Sequence, residues 1–555
     1  MNHILIGQSD FKRIRESQAY YVDKSLFVQD ILNCPYQVIL LTRPRRFGKT
    51  INLSLLHYFF EKTDQDHASL FDHLAIKQTS SFKDFFAAYP VINITFKDIK
   101  NVTYAESITK IARLIQKLLK DHHYLLKWDD LSHVASQLFN AIINNTANTE
   151  DYEDSLQILS EELERYHNKQ VIILIDEYDT PIHTGYIYNY YENMTIFMRN
   201  MLGAALKDNA SLYKGVVTGT LRISKESIFT GLNNLGVFPL NKRRFNKCFG
   251  FDESEVKKLL AEFGLSDEYS TIAKWYDGYN FGGRTIFNPW SVVNYISDPD
   301  SGPEPYWLNT SSMHMIENVI TPQKKLLRKE INDLIEGQSI IKIVYENMVF
   351  KDITNSRSEL VWSFLLHSGY LKVVKKVESD LRQKYELQIP NREVRIIFVD
   401  LVEKWIKNHI DLEQLEMLLQ SLTRGNISMF ERKLKHICLA IMSYHDFAGS
   451  PEKVYHALVL GMLVWLSHDY VIRSNRESGF GRYDLIFMPK DKNRQGIIIE
   501  FKRIEENDEV EDVLTDALNQ IEKKRYDIEL KAENIHTILK LAIGFSSKNV
   551  YLKQG

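Results

Sequence analysis

Four consecutive apolar residues, Val38-Ile39-Leu40-Leu41, stand between polar segments. The next apolar positions, Ile51, Leu55, Leu56 and Phe59, recur at the spacing of one helix face. A short unbroken apolar run bounded by turn chemistry is the pattern of a strand buried on both faces, so residues 38–60 predict strand, loop and helix. Two later stretches repeat the strand pattern: Val171-Ile172-Ile173-Leu174-Ile175, and Gly215-Val216-Val217-Thr218-Gly219-Thr220. From Asp252, a good N-cap for ESEVKKLLAEFG, the pattern turns mostly helical. ELVWSFLLHSGYL (359–371) reads as a helix, YLKVVKKVESDLRQKYELQIP (370–390) as a hairpin, and EVRIIFVDLVEKWI (393–406) as another helix. That order suits a winged-helix-like unit and equally a plain connector. Near the end, SNRESGFGRYDLIFMP (474–489), GIIIEFKR (496–503) and LKLAIGFS (539–546) each hold a strand.

At 555 residues the chain exceeds what one core supports, and two to four domains are expected. Hydrophobic residues make up 44% and charged residues 25%, as in a soluble globular protein. The net charge of −3 argues against coating nucleic acid through bulk charge, so any such binding needs a local basic groove. Three scattered cysteines, Cys34, Cys248 and Cys438, form no zinc pattern and point to a reducing, cytoplasmic compartment. MNHILIGQSDFKRIRES turns charged too early for a signal peptide. The longest apolar run, 457–466, is about half the ~20 residues that span a bilayer, and reads as a buried helix rather than a membrane segment.

Between the first strand and its helix lies RPRRFGKT (43–50), whose end matches the phosphate-binding pattern G-x-x-x-x-G-K-[ST]. Arg43 stands where the first glycine belongs. Backbone N–H groups and the helix dipole favour an anion at this spot. Gly48, Lys49 and Thr50 are the positions that meet the β/γ-phosphates and Mg²⁺, so the loop reads as a working variant. Arg43, Arg45 and Arg46 add positive charge near phosphates or are solvated. The strand 171–175 runs into Asp176-Glu177-Tyr178-Asp179, the form of a Walker B strand: Asp176 would order the Mg²⁺ shell and Glu177 polarise the attacking water. Arg222, after the third strand, would stabilise phosphate charge or sit on the surface after a turn.

The C-terminal strands carry other chemistry. Glu500 and Lys502, two apart on a strand, share a face. Pairing as a hairpin with Asp484 opposite Glu500 leaves a loop of about seven residues. A carboxylate buried beside Ile497-Ile498-Ile499 is costly unless paired, and a divalent ion between Asp484 and Glu500 would remove that cost. Lys502 would orient water or stabilise the developing charge, as in Mg²⁺-dependent phosphodiester cleavage. A salt-bridged hairpin, Lys502 balancing the acids, is the simpler alternative. In the middle region, Trp275, Tyr276, Tyr279 and Phe281 read as the core of a small lid in preference to a base-stacking platform.

YYVDKS (20–25), RPRRFGKT, ILIDEYDTPI (173–182) and VTGTLRISKESIFTGLNNL (217–235) together resemble the AAA-like ATPase domain of a prokaryotic-type family that fuses it to a PD-(D/E)XK nuclease-like domain. FGFDESEV (249–256), WYDGYNFGG (275–283) and NPWSVVNYI (288–296) extend the similarity. SNRESGFGRYD followed by IIIEFK resembles the nuclease-like domain, with Asp484, Glu500 and Lys502 on its core positions. The resemblance adds Glu452, in SPEKVYHALVLGMLVWL (450–466), as a further metal-side acid, although an acid in a first helical turn also suits the dipole. Gln520 and Tyr526 fall on the supporting helix, and Asp23 belongs to the family pattern without a role that follows from the sequence. The expected architecture is α/β multidomain: a P-loop NTPase α/β domain (1–250), a mostly helical middle (251–440), and a restriction-endonuclease-like α/β core (441–555). The expected function is ATP- and Mg²⁺-dependent action on nucleic acid, DNA before RNA, with no membrane partner and room for a homo-oligomer. The rivals are a regulatory ATPase whose nuclease-like end binds without cutting, and an assembly protein with both sites vestigial.

Overall fold

The computed structural model describes residues 3–221, 228–229, 231–307, 324–335, 337–345, 358–378, 382–407, 412–441, 466, 469–474, 477–478, 481–482, 484–505, 508–546 and 549–555. The chain forms two compact units, Met1–Pro322 with Ser339–Val394, and Gln323–Gln338 with Arg395–Gly555.

The first unit is built on a five-stranded parallel sheet in the order β2-β3-β4-β1-β5. Its strands are β1 (Val38–Thr42), β2 (Val91–Thr95), β3 (Val171–Asp176), β4 (Leu212–Gly219) and β5 (Leu235–Phe238). Every residue of β1 and β3 is buried, as their unbroken apolar runs require of strands covered on both faces. The helix Lys49–Phe60 follows β1 and buries Leu53, Leu55, Leu56, Phe59 and Phe60. Because β4 lies between β1 and β3, the carboxyl ends of these three strands converge, where open α/β sheets bind ligands. β4 starts three residues before the predicted run and ends at Gly219, so Thr220 lies beyond it. β5 was not evident in the sequence; LGVF is too short to show a period.

Asp252 does cap the helix Glu253–Glu262, in a capping box with Glu255. Tyr276, Tyr279 and Phe281 are buried, on and beside a short hairpin, β6 (Tyr279–Phe281) and β7 (Arg284–Ile286), so they pack rather than offer a stacking platform. The predicted hairpin is β9 (Lys372–Val377) with β10 (Lys384–Gln388), preceded by the helix Ser358–His367. A third strand, β8 (Ile340–Ile343), joins the far side of β10. The predicted helix follows as Arg392–Lys407, so the helix, hairpin and helix order holds, with β8 added to the hairpin as a third strand.

The second unit holds a five-stranded mixed sheet in the order β11-β14-β15-β16-β17. These are β11 (Tyr470–Ser474), β14 (Leu485–Pro489), β15 (Gly496–Arg503), β16 (Ile538–Ser546) and β17 (Asn549–Gln554), with a small ladder of β12 (Glu477–Ser478) and β13 (Gly481–Arg482). Among the described residues of this sheet only β15 and β16 pair in parallel, and the helix Val510–Lys524 lies in their crossover. One sheet face packs Leu485, Phe487, Ile497 and Ile499 against helices Leu412–Thr423 and Ile427–Ile441. The other packs Ile486 and Ile498 against Ile521, Tyr526 and Leu530. Period-two alternation places Glu500 and Lys502 on this second face with Ile498. The apolar run 457–466 lies outside the described residues, apart from Leu466.

Candidate functional site

Gly48 caps the helix Lys49–Phe60 with φ of 86°, a left-handed conformation that suits glycine and turns the loop into the helix. Lys49 is 3% exposed, with Nζ 3.3 Å from Glu177 Oε1, and donates to the carbonyls of Arg43 and Pro44 at 3.1 and 3.2 Å. Thr50 Oγ1 donates to Asp176 Oδ2 at 2.7 Å, and Thr218 Oγ1 to Asp176 Oδ1 at 2.5 Å. Burial and the neighbouring Glu177 raise the Asp176 carboxyl. Burial raises Glu177 too, but Lys49 and Arg45 outweigh it and hold that group below the usual carboxylate range. Hydroxyl and carboxylate thus stand side by side as hard oxygen donors, a set that fits a Mg²⁺ ion beside bound phosphates. A cavity of about 490 Å³ opens here, whose lining includes Arg45, Lys49 and Glu177 together with Tyr20, Phe251 and Leu259.

Arg43 corrects both sequence expectations for it, since it is fully buried and neither faces phosphate nor is solvated. Its guanidinium donates to the carbonyls of Thr42, Phe238 and Phe245, at 2.8, 2.7 and 3.3 Å. It also lies over Phe249 and Phe281, with centroid distances of 5.0 and 5.4 Å, and burial lowers its pKa to about 10. Arg46 is exposed and stacks 4.2 Å over the Trp290 ring. Asp23 acquires a structural role. It accepts from Ser25 N and Ala75 N, both at 2.8 Å, while Ser25 Oγ accepts from Ile76 N. Tyr178 and Asp179, which close the Walker B-like run without a role that follows from the sequence, bond the turn after β4. Asp179 is buried, and burial with the charge of Glu177 pushes it up to about 6.

In the second unit, Leu485 pairs with Ile499, and continuing that register sets Asp484 opposite Glu500. Asp484 Oδ2 accepts from Phe501 N at 2.8 Å. Glu500 is 3% exposed, and its Oε1 accepts from Gln520 Nε2 at 2.5 Å and Lys502 Nζ at 3.3 Å. Lys502 Nζ also donates to Gln520 Oε1 at 2.8 Å, and Gln520 Nε2 lies 3.2 Å from Tyr526 Oη. Among the described residues, Glu500 Oε2 is buried with no partner. Burial and the Asp484 charge, opposed by Lys502, push Glu500 up to about 7. The lysine meets only Oε1, and the Asp484 backbone N–H, which also lowers Glu500, approaches the carboxylate without making a hydrogen bond of normal geometry to Oε2. Two carboxylates with one orphaned oxygen fit a divalent ion that keeps several waters.

Residues 5–229 match the family model described as "Predicted AAA-ATPase", and residues 450–555 match that of the PD-(D/E)XK nuclease superfamily. The chain has an AAA-ATPase-like domain at its N-terminus and a PD-(D/E)XK nuclease superfamily domain at its C-terminus. It is also 24% identical over 402 residues to an "Uncharacterized protein in vnfD 5'region" of Azotobacter chroococcum mcd 1, covering 70% of this chain and 68% of that protein. In the ATPase-like domain, Gly48, Lys49, Thr50, Asp176 and Glu177 come together, whereas Arg222 lies outside the described residues. In the nuclease-superfamily domain, Asp484, Glu500, Lys502, Gln520 and Tyr526 converge, and Glu452 lies outside the described residues. Among the described residues no cluster of three or more His, Cys, Asp or Glu side chains suits a metal, and no helix is long and apolar enough to cross a membrane.

Proposed function

We propose that this protein hydrolyses ATP in its N-terminal domain and cleaves phosphodiester bonds of nucleic acid, with Mg²⁺, in its C-terminal domain. The observation that carries the reading is the partnerless Glu500 Oε2, buried beside Asp484 and Lys502. An ionised oxygen left so costs several kcal/mol, which a bound cation offsets. Asp484 and Glu500 would hold one Mg²⁺, and Thr50 and Asp176 another. Such an ion supplies Lewis-acid stabilisation of phosphoryl oxygens and acidifies bound water. Lys502, fixed by Gln520, meets charge developing on the scissile phosphate or orients the attacking water. Lys49 meets the β/γ-phosphates, Gly48 opens the helix end to them, and Glu177 polarises the hydrolytic water. Cys34 and Cys248 are buried free thiols, which suits the cytoplasm.

The test is cleavage of labelled single- and double-stranded DNA and RNA, beside phosphate release, with Mg²⁺ or chelator and with or without ATP. Metal-dependent cutting, with DNA preferred, is expected. Binding without cutting under every condition would instead favour a regulatory ATPase whose nuclease-like end only binds.

A further inference from the structure

The backbone after β3 and the backbone after β4 are locked to one another. Tyr178 N donates to Thr218 O at 3.2 Å, and Tyr178 Oη to Leu221 O at 2.9 Å. Asp179 Oδ2 accepts from Thr220 N and from Leu221 N, each at 2.9 Å. Nothing larger than hydrogen fits beneath this pair. A Cβ on Gly219 would stand 2.7 Å from Asp179 Oδ1 and 2.7 Å from the Tyr178 ring. The segment so held is the one whose Thr218 bonds Asp176, and Asp176 in turn bonds Thr50 of the phosphate loop.

We propose that Asp179, assisted by Tyr178, is a positioning residue for nucleotide hydrolysis: it clamps residues 218–221 to the end of β3 so that Thr218 keeps Asp176 aimed at Thr50. The inference rests on the ATPase reading above. Removing the carboxylate leaves two buried N–H groups without an acceptor, and the turn must open to water to satisfy them. The loss falls on chemistry rather than on affinity, because Lys49 and the loop amides that grip the phosphates stay in place. A shift of even 1 Å in a group that orders the reacting atoms costs about 100-fold in rate. Asparagine keeps an acceptor oxygen for both N–H groups and is expected to restore most of the function.

The experiment compares full-length wild type, Asp179→Ala, Asp179→Asn and Tyr178→Phe by steady-state ATP hydrolysis and by amide hydrogen exchange. Asp179→Ala is expected to lower kcat by about 30-fold or more with KM within about 3-fold. Thr220 and Leu221 should lose protection while β1 and β3 keep theirs. Asp179→Asn should stay within about 5-fold of wild type, and Tyr178→Phe, which disturbs folding least, should fall between them. Wild-type kcat and exchange in Asp179→Ala would overturn the clamp. So would loss of protection throughout the sheet with asparagine giving no rescue, which marks a purely structural residue. If wild type itself hydrolyses no nucleotide, the ATPase reading fails, and the exchange pattern alone still decides whether the clamp exists.

Discussion

At the scale of single residues, Lys49 and Glu500 make opposite electrostatic demands. Lys49 has one carboxylate and two carbonyls for company, so its removal leaves a buried polar gap beside Glu177 rather than a hole among apolar side chains. Lys49→Ala is expected to fold and to lose at least ~100-fold in ATP hydrolysis, a contact worth about 3 kcal/mol in the transition state. Phosphate release at the wild-type rate from a folded variant would remove this site from the account. Glu177→Gln should retain nucleotide and turn it over slowly, read as tight binding of labelled ATP with little phosphate released. Glu500 has a folded pKa of about 7, above its value in an unfolded chain. The folded state thus holds a proton that the unfolded state gives up, and the associated stability is present below about pH 4.5 and lost as pH rises through about 7. In chelator, thermal transitions of the full chain between pH 5 and 8 should show the C-terminal unit weakening by a few kcal/mol as pH rises. Mg²⁺ should restore it, and Glu500→Gln should flatten both responses. A pH-independent C-terminal transition in chelator would contradict the burial of this carboxyl.

Elements explain what a single sequence reveals and what it hides. RPRRFGKT and IDEYD are legible because strand, loop and helix succeed one another locally, and the Asp484–Glu500 register follows from period-two alternation across one short hairpin. The task of Arg43 was hidden, since two of the carbonyls it binds, Phe238 and Phe245, lie 195 and 202 residues away. The Asp179 clamp was hidden for the same reason: its N–H partners are 41 and 42 residues on. β8 escaped because a four-residue strand shows its identity only through its partner β10. The phosphate loop is fastened by Arg43 and by Phe47, whose ring packs 4.8 Å from that of Tyr279. Arg43→Gly would match the common motif better yet strip three carbonyls of their donor. It is expected to cost about 2–4 kcal/mol of stability and to weaken ATP binding, checked by denaturant melts and calorimetry. Improved binding would show that the arginine burdens the loop. Gly219→Ala should also destabilise, because the methyl must displace Asp179 or Tyr178.

For the molecule as a whole, the described residues place two acids and a lysine together in each unit: Asp176, Glu177 and Lys49 in one, Asp484, Glu500 and Lys502 in the other. Asp484→Ala or Lys502→Ala is expected to abolish cleavage while leaving ATP hydrolysis nearly intact. Coupling between sites amounts to about 1–3 kcal/mol, enough to tune a rate and too little to replace a metal ligand. Equal loss of both activities in a folded Asp484→Ala protein would refute the separation. The partnerless oxygen of Glu500 also sets an order of failure. A cation that binds only the folded site adds stability as RT ln(1 + [M]/Kd), so the C-terminal unit grows sturdier with every rise in free metal. When metal is scarce that unit opens first, and a protease sampling open chains would whittle the protein from its C-terminal end, leaving an ATP-binding fragment whose abundance records how long the metal was missing.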